Sequence, residues 1–121
     1  MASPAAAALG KLLESQREIE ERMRAIGASP EDVLDVGQRV LAFAAREDEA
    51  FAWLTTLIDP DVRAELAAEH RRLAEDLELL DWLMRTSPDS PDVAMLADAL
   101  VRRMREHLHR DGRLLARALR M

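Results

Sequence analysis

Four dipeptides punctuate the chain: Ser3-Pro4, Ser29-Pro30, Asp59-Pro60 and Ser90-Pro91. Each couples a side-chain oxygen able to accept from a free backbone N–H with a proline, whose fixed φ and missing donor suit the first position of a helix. Acidic residues follow three of them directly, Glu31 and Asp32, Asp61, and Asp92, at the positive end of each helix dipole. Four such starts predict four helices over roughly 4–26, 30–58, 60–86 and 91–120, with stops at Gly27, at Asp59-Pro60 and in the loop from Thr86 to Ser90. Helices of similar length joined by short connections lie antiparallel to their neighbours. The expected fold is therefore all-α, an up-down-up-down antiparallel four-helix bundle, as one domain over residues 1–121.

Composition agrees and narrows the chemistry. Tyr is absent and Gly scarce, which disfavours a β-rich or loop-rich fold. With no Cys, disulfides, thiolate metal sites and cysteine nucleophiles are excluded, leaving imidazole and carboxylate chemistry. The net charge of -6 and the interleaving of both signs argue against nucleic acid as a partner. The run MASPAAAALGKLL lacks a basic segment followed by a long apolar one, and no stretch approaches the ~20 apolar residues that span a bilayer. A cytoplasmic protein without a membrane partner is expected. No Gly-rich phosphate loop or Ser–His–Asp arrangement marks an enzyme.

Turning 100° per residue gives each helix an apolar stripe. Helix 1 carries Leu9, Leu12, Leu13, Ile19, Met23 and Ile26, and helix 2 carries Val33, Val36, Val40, Ala44, Phe51, Leu54 and Ile58. Helix 3 offers Val62, Leu66, Leu73, Leu77, Leu80 and Met84, and helix 4 offers Val93, Leu96, Leu100, Met104, Leu114, Leu115 and Ala118. A polar residue interrupts every stripe near its centre: Gln16, Glu47, His70, and the pair His107 and Asp111. In an antiparallel bundle these positions fall within about four residues, or ~6 Å, of one level.

Such a layer needs satisfying, because an unpartnered buried carboxylate costs several kcal/mol or changes its protonation state. One solution is a metal: His and Glu on facing helices are the usual material of iron and manganese sites in bundles. The other is a metal-free network in which Glu47 and Asp111 accept from the imidazoles and from Gln16.

The pattern resembles the hemerythrin-like (HHE cation-binding) family over nearly the whole chain. That family has a His on the first helix, H-x-x-x-E on the second, H-x-x-x-H on the third and H-x-x-x-x-D/E on the fourth, around a non-heme di-iron centre. LLESQREIE is similar to the first motif with Gln16 in the His place, and LAFAAREDEAFAWL to the second with Phe43 in the His place and Glu47 kept. LAAEHRRLAEDL keeps His70 but has Ala74 for the second His; MREHLHRDGRLL keeps His107 but has Gly112 in the acid's place, with Asp111 one residue early.

The resemblance implies that helices 3 and 4 serve one iron and helices 1 and 2 the other. On that basis Glu47, His70 and His107, with Asp111 and the weaker Gln16, keep at most one divalent metal: non-heme iron, manganese or zinc. Reversible O2 binding between two irons is not expected. The alternative is a metal-free structural or interaction module retaining only the bundle.

Trp82, Leu79 and Leu83 project away from the stripe of helix 3, and Trp53 does so beside Leu57 on helix 2. Apolar clusters with Trp suggest a homodimer face. His109, Glu69 and Glu106 read as surface groups, as does the mixed-charge face from Arg102 to Arg120.

Overall fold

The computed structural model describes residues 4–26, 29–53 and 59–119. Four helices form it: α1 (Pro4–Ala25), α2 (Pro30–Trp53), α3 (Pro60–Thr86) and α4 (Pro91–Leu119). Each starts at the proline of a cap-proline pair. Ser3, Gly27, Leu54, Leu57 and Ile58 lie outside the described residues, as do the side chains of Trp53 and Ala118.

The caps differ in how they close. Asp59 accepts from the Asp61 N–H at 2.8 Å, and Ser90 Oγ accepts from the Asp92 N–H at 3.2 Å. The Ser29 hydroxyl instead donates to the Glu31 carboxylate at 2.9 Å, while its carbonyl receives the Val33 N–H at 3.0 Å. Glu31, drawn to backbone N–H groups and then to Ser29, titrates below the usual carboxylate range. At the other end of α3 the Ser87 N–H donates to Leu83 at 2.7 Å, and a turn closed by Ser90 N–H to the Ser87 carbonyl sends the chain back into α4.

Each helix packs on the next, α4 closes onto α1, and α2 also touches α4 across the bundle. Among the described residues α1 and α3 do not meet in this way, so the cross-section is a rhombus with α2 and α4 on its short diagonal. That geometry explains where burial departs from the stripe of helix 4. Because α4 faces three helices, Ala97, Val101 and Leu108 are buried along with Val93, Leu100, Met104 and Leu115. Leu96 and Leu114 are half-buried at its margins. Each fully buried Leu contributes roughly 1.5–3 kcal/mol. The α2–α3 seam is close at Gly37, where a Cβ would collide with the methyl groups of Leu77.

No helix among the described residues is long and apolar enough to cross a membrane. Leu79 and Trp82 are exposed, as is Met95. Leu83 departs from the expected surface cluster: it packs half-buried against the core. A helix that meets neighbours on both sides buries residues well off the centre of its stripe.

Candidate metal centre

The polar layer exists, and it is buried. Gln16, Glu47, His70, His107 and Asp111 are the buried polar side chains of the described residues, with exposures from 0 to 8%. α2 supplies Glu47, α3 supplies His70, and α4 supplies His107 and Asp111. One ligand atom from each of these four lies within 4.8 Å of all the others.

Asp111 belongs to this cluster by simple helix geometry. A residue four positions after His107 sits one turn on and about 40° around the helix, whereas five positions on lies about 140° around. Asp111 is thus the acid that shares a wall with His107, and its Oδ2 lies 2.8 Å from His107 Nε2. Gly112 faces elsewhere. A Cβ there would lie 2.8 Å from Gln16 Nε2, so the bare backbone gives room to the Gln16 amide.

The two rings meet edge to face, with centroids 4.8 Å apart and planes at 78°. Their Nε2 atoms approach to 3.0 Å. Each Nδ1 is held from outside the cluster: His70 Nδ1 lies 3.2 Å from Asp48 Oδ2, and His107 Nδ1 lies 2.9 Å from Glu69 Oε2. A carboxylate can only accept, so each Nδ1 carries the proton. In the neutral imidazoles both Nε2 lone pairs therefore point inward, at each other and at the two buried acids.

Lone pairs facing at that separation repel unless a cation or a proton lies between them. The carboxylates make the same demand. Neither oxygen of Glu47 or of Asp111 has a well-directed hydrogen bond, although Glu47 Oε1 is 3.5 Å from His70 Nε2 and Asp111 Oδ2 is close to His107. Burial pushes the Glu47 carboxyl up to about 7, against the pull of His70 and reinforced by Asp111. Burial, the largest single effect, lowers His107, yet Asp111, Glu69 and Glu47 together outweigh it and raise it to about 9. His70 is also raised: burial opposes, but Glu47 and Asp48 prevail.

The donor set fits one divalent ion. Metal–ligand bonds of about 2.1 Å place adjacent donors about 3.0 Å apart in octahedral and about 3.4 Å apart in tetrahedral geometry, and opposite octahedral donors about 4.2 Å apart. The inter-donor distances of 2.8, 3.0 and 3.5 Å match adjacent positions, and the 4.8 Å limit asks for only a small contraction. Charge matches too: two neutral imidazoles and two carboxylates together balance a doubly charged cation.

The remaining residues singled out by the motifs do other things. Gln16 shares the layer, but its amide nitrogen donates to the Leu108 carbonyl at 2.8 Å and to the Glu20 carboxylate. Phe43 is wholly buried in the apolar core. Ala74 lines a groove of about 590 Å³ between α2 and α3, together with His70, Asp48 and several other alanines. On the α3–α4 side a second pocket of about 300 Å³ is lined by His107, Glu69, Arg72, Arg103, Glu106 and Arg110. Both imidazoles thus border solvent-facing depressions. His109 is exposed.

Asp48 and Glu69 were not legible as site residues. Each adjoins a core polar residue in sequence, after Glu47 and before His70, but reaches an imidazole on the neighbouring helix. An acid flanking a core position at a helix seam is the available signal.

Compared with protein-family models, curated proteins and solved structures, the chain matches none of them.

Proposed function

We propose that this protein is a hemerythrin-like bundle whose di-metal centre has been reduced to a single site, holding one divalent ion through Glu47, His70, His107 and Asp111. The observation that carries this reading is the inward convergence of two Nε2 atoms, each with its Nδ1 on an outer carboxylate, upon two carboxylates that lack hydrogen bonds. The family assignment rests on the motif residues alone. Replacement of His by Gln16, Phe43 and Ala74, and of the fourth-helix acid by Gly112, supports one ion rather than two. Two-metal sites, with ions about 3.5–4 Å apart, need ligands at both.

Iron, manganese and zinc suit a two-His, two-carboxylate donor set, and such an ion would supply Lewis-acid or, for iron and manganese, redox chemistry. The chain's own residues do the rest. His70 and His107 direct their lone pairs inward, Glu47 and Asp111 neutralise charge, and the surrounding core keeps both acids wholly buried. Without an ion, the same layer holds protons between the imidazoles and the acids. That proton-filled state is the competing reading, in which only the bundle is retained, as a structural module. The exposed Leu79 and Trp82 then become its notable surface, as a face for a second copy of the chain.

The test is metal analysis of protein purified without a histidine tag, beside the His70→Ala/His107→Ala double variant. Iron, manganese or zinc near one equivalent in the first and none in the second supports the proposal. Equal, negligible metal in both after exposure to each ion refutes it.

A further inference from the structure

Glu69 occupies a particular place in a chain of charges. Its Oε2 faces His107 Nδ1 at 2.9 Å, and its Oε1 accepts from Arg110 Nη1 at 2.5 Å. Arg110 in turn donates through Nη2 to Glu65 at 2.7 Å. The Glu69 carboxylate is therefore oriented from outside. Arg110 has only donors and demands an acceptor at Oε1, which leaves Oε2 for the ring. Asp48, the counterpart at His70, is more exposed, and among the described residues its side chain bonds to His70 alone.

We propose that Glu69, clamped by Arg110, is the positioning residue that commits His107 to the Nδ1–H form and so makes its Nε2 available to a divalent cation. This rests on the metal reading above. The clamp gives it a signature that packing alone would not produce. In Glu69→Gln the amide oxygen must face Arg110, so the amide NH2 is turned toward His107 Nδ1. Two donors then face each other unless Nδ1 gives up its proton, which moves the proton to Nε2 and blocks the ligand atom. In Glu69→Ala the ring faces water, which can accept from Nδ1–H. The isosteric variant is thus the more damaging one.

The experiment measures zinc affinity by chelator competition on the full chain, with helix content checked by circular dichroism. Glu69→Gln weakens zinc binding by ~10–100-fold, the range expected for a partner of a ligating imidazole. Glu69→Ala loses less, and Glu69→Gln/Arg110→Ala regains affinity over Glu69→Gln because the amide is free to turn over. Asp48→Asn, with no arginine bonded at that position among the described residues to fix its amide, is milder than Glu69→Gln. Equal effects of Gln and Ala at 69, or no recovery on removing Arg110, overturn the inference.

Failure of the unsubstituted protein to bind zinc speaks against the metal reading instead. The tautomer is then read in metal-free protein from the ring 15N shifts of His107 near pH 10, above its titration at about 9, where the ring is neutral. The proton sits on Nδ1 in the unsubstituted chain and on Nε2 in Glu69→Gln; an Nδ1–H tautomer retained in that variant overturns the inference.

Discussion

If the buried layer is a cation site, it should cost the protein stability when the cation is withheld, and Glu47 is where that cost is most measurable. It is wholly buried with both oxygens lacking hydrogen bonds, and its carboxyl titrates at about 7 instead of the ordinary 4.5. In the unfolded chain the group ionises from pH 4.5, while in the fold it keeps its proton to about pH 7. The metal-free fold therefore loses stability as pH rises across that interval, by up to about 3 kcal/mol. Glu47→Gln has the same shape and no charge to bury. In EDTA it should match the unsubstituted protein near pH 4.5 and exceed it near pH 8 by ~1–3 kcal/mol. The lower end applies because Glu47 also helps hold protons on the imidazoles, a contribution the substitution removes. At ~3–6 °C per kcal/mol for a domain of this size, the pH 8 gain in Tm is about 3–18 °C. Thermal melts followed by circular dichroism at the two pH values measure it. A Glu47→Gln protein that is no more stable than its parent at pH 8, or equally more stable at both pH values, would show that ionising Glu47 does not cost the fold stability.

Other consequences follow from the same geometry. His107, raised to about 9 from 6.5, contributes stability that is present below pH 6.5 and lost as pH rises through 9. Urea titrations in EDTA should show a fall of about 3 kcal/mol over that window in the unsubstituted chain and a flatter profile in His107→Ala. Gly112→Ala gains helix propensity of about 1 kcal/mol but sets a Cβ against the Gln16 amide, so the gain should appear fully only in a Gln16→Ala background, as read by a double-variant cycle of urea midpoints. Gly37→Ala should destabilise by ~1–3 kcal/mol in the same assay, because Leu77 is buried and has little room to move aside. Asp59→Ala, removing the acceptor for the Asp61 N–H, should cost about 1 kcal/mol.

The fold was legible because its signals are local. Cap-proline pairs set where helices begin, and in α2, α3 and α4 the proline of each pair is the first helical residue. The buried layer was legible for a related reason: angular projection along one helix places Gln16, Glu47, His70, His107 and Asp111 inward, and all are buried. What projection along single helices cannot give is contact across a seam. Asp48 and Glu69 lie on the margins of their own helices and look like surface charges, yet each meets an imidazole of the next helix. The wide buried face of α4 escaped in the same way, since the short α2–α4 diagonal depends on how four cylinders settle together. Small residues at that level matter only in three dimensions. Gly112 reads as a missing acid in the motif, but in the bundle it is the space that Gln16 occupies.

On the proposed function, a doubly negative buried layer is balanced either by protons or by one divalent ion, the two being exchangeable. Titration of metal-free protein with zinc or anaerobic ferrous iron near pH 7, by calorimetry in two buffers of different ionisation enthalpy, measures both the stoichiometry and the protons released. One ion per chain and release of about two protons, drawn from His107, His70 and Glu47, are expected. Two ions per chain, binding without proton release, or no binding by a chain whose four site residues are intact would contradict it.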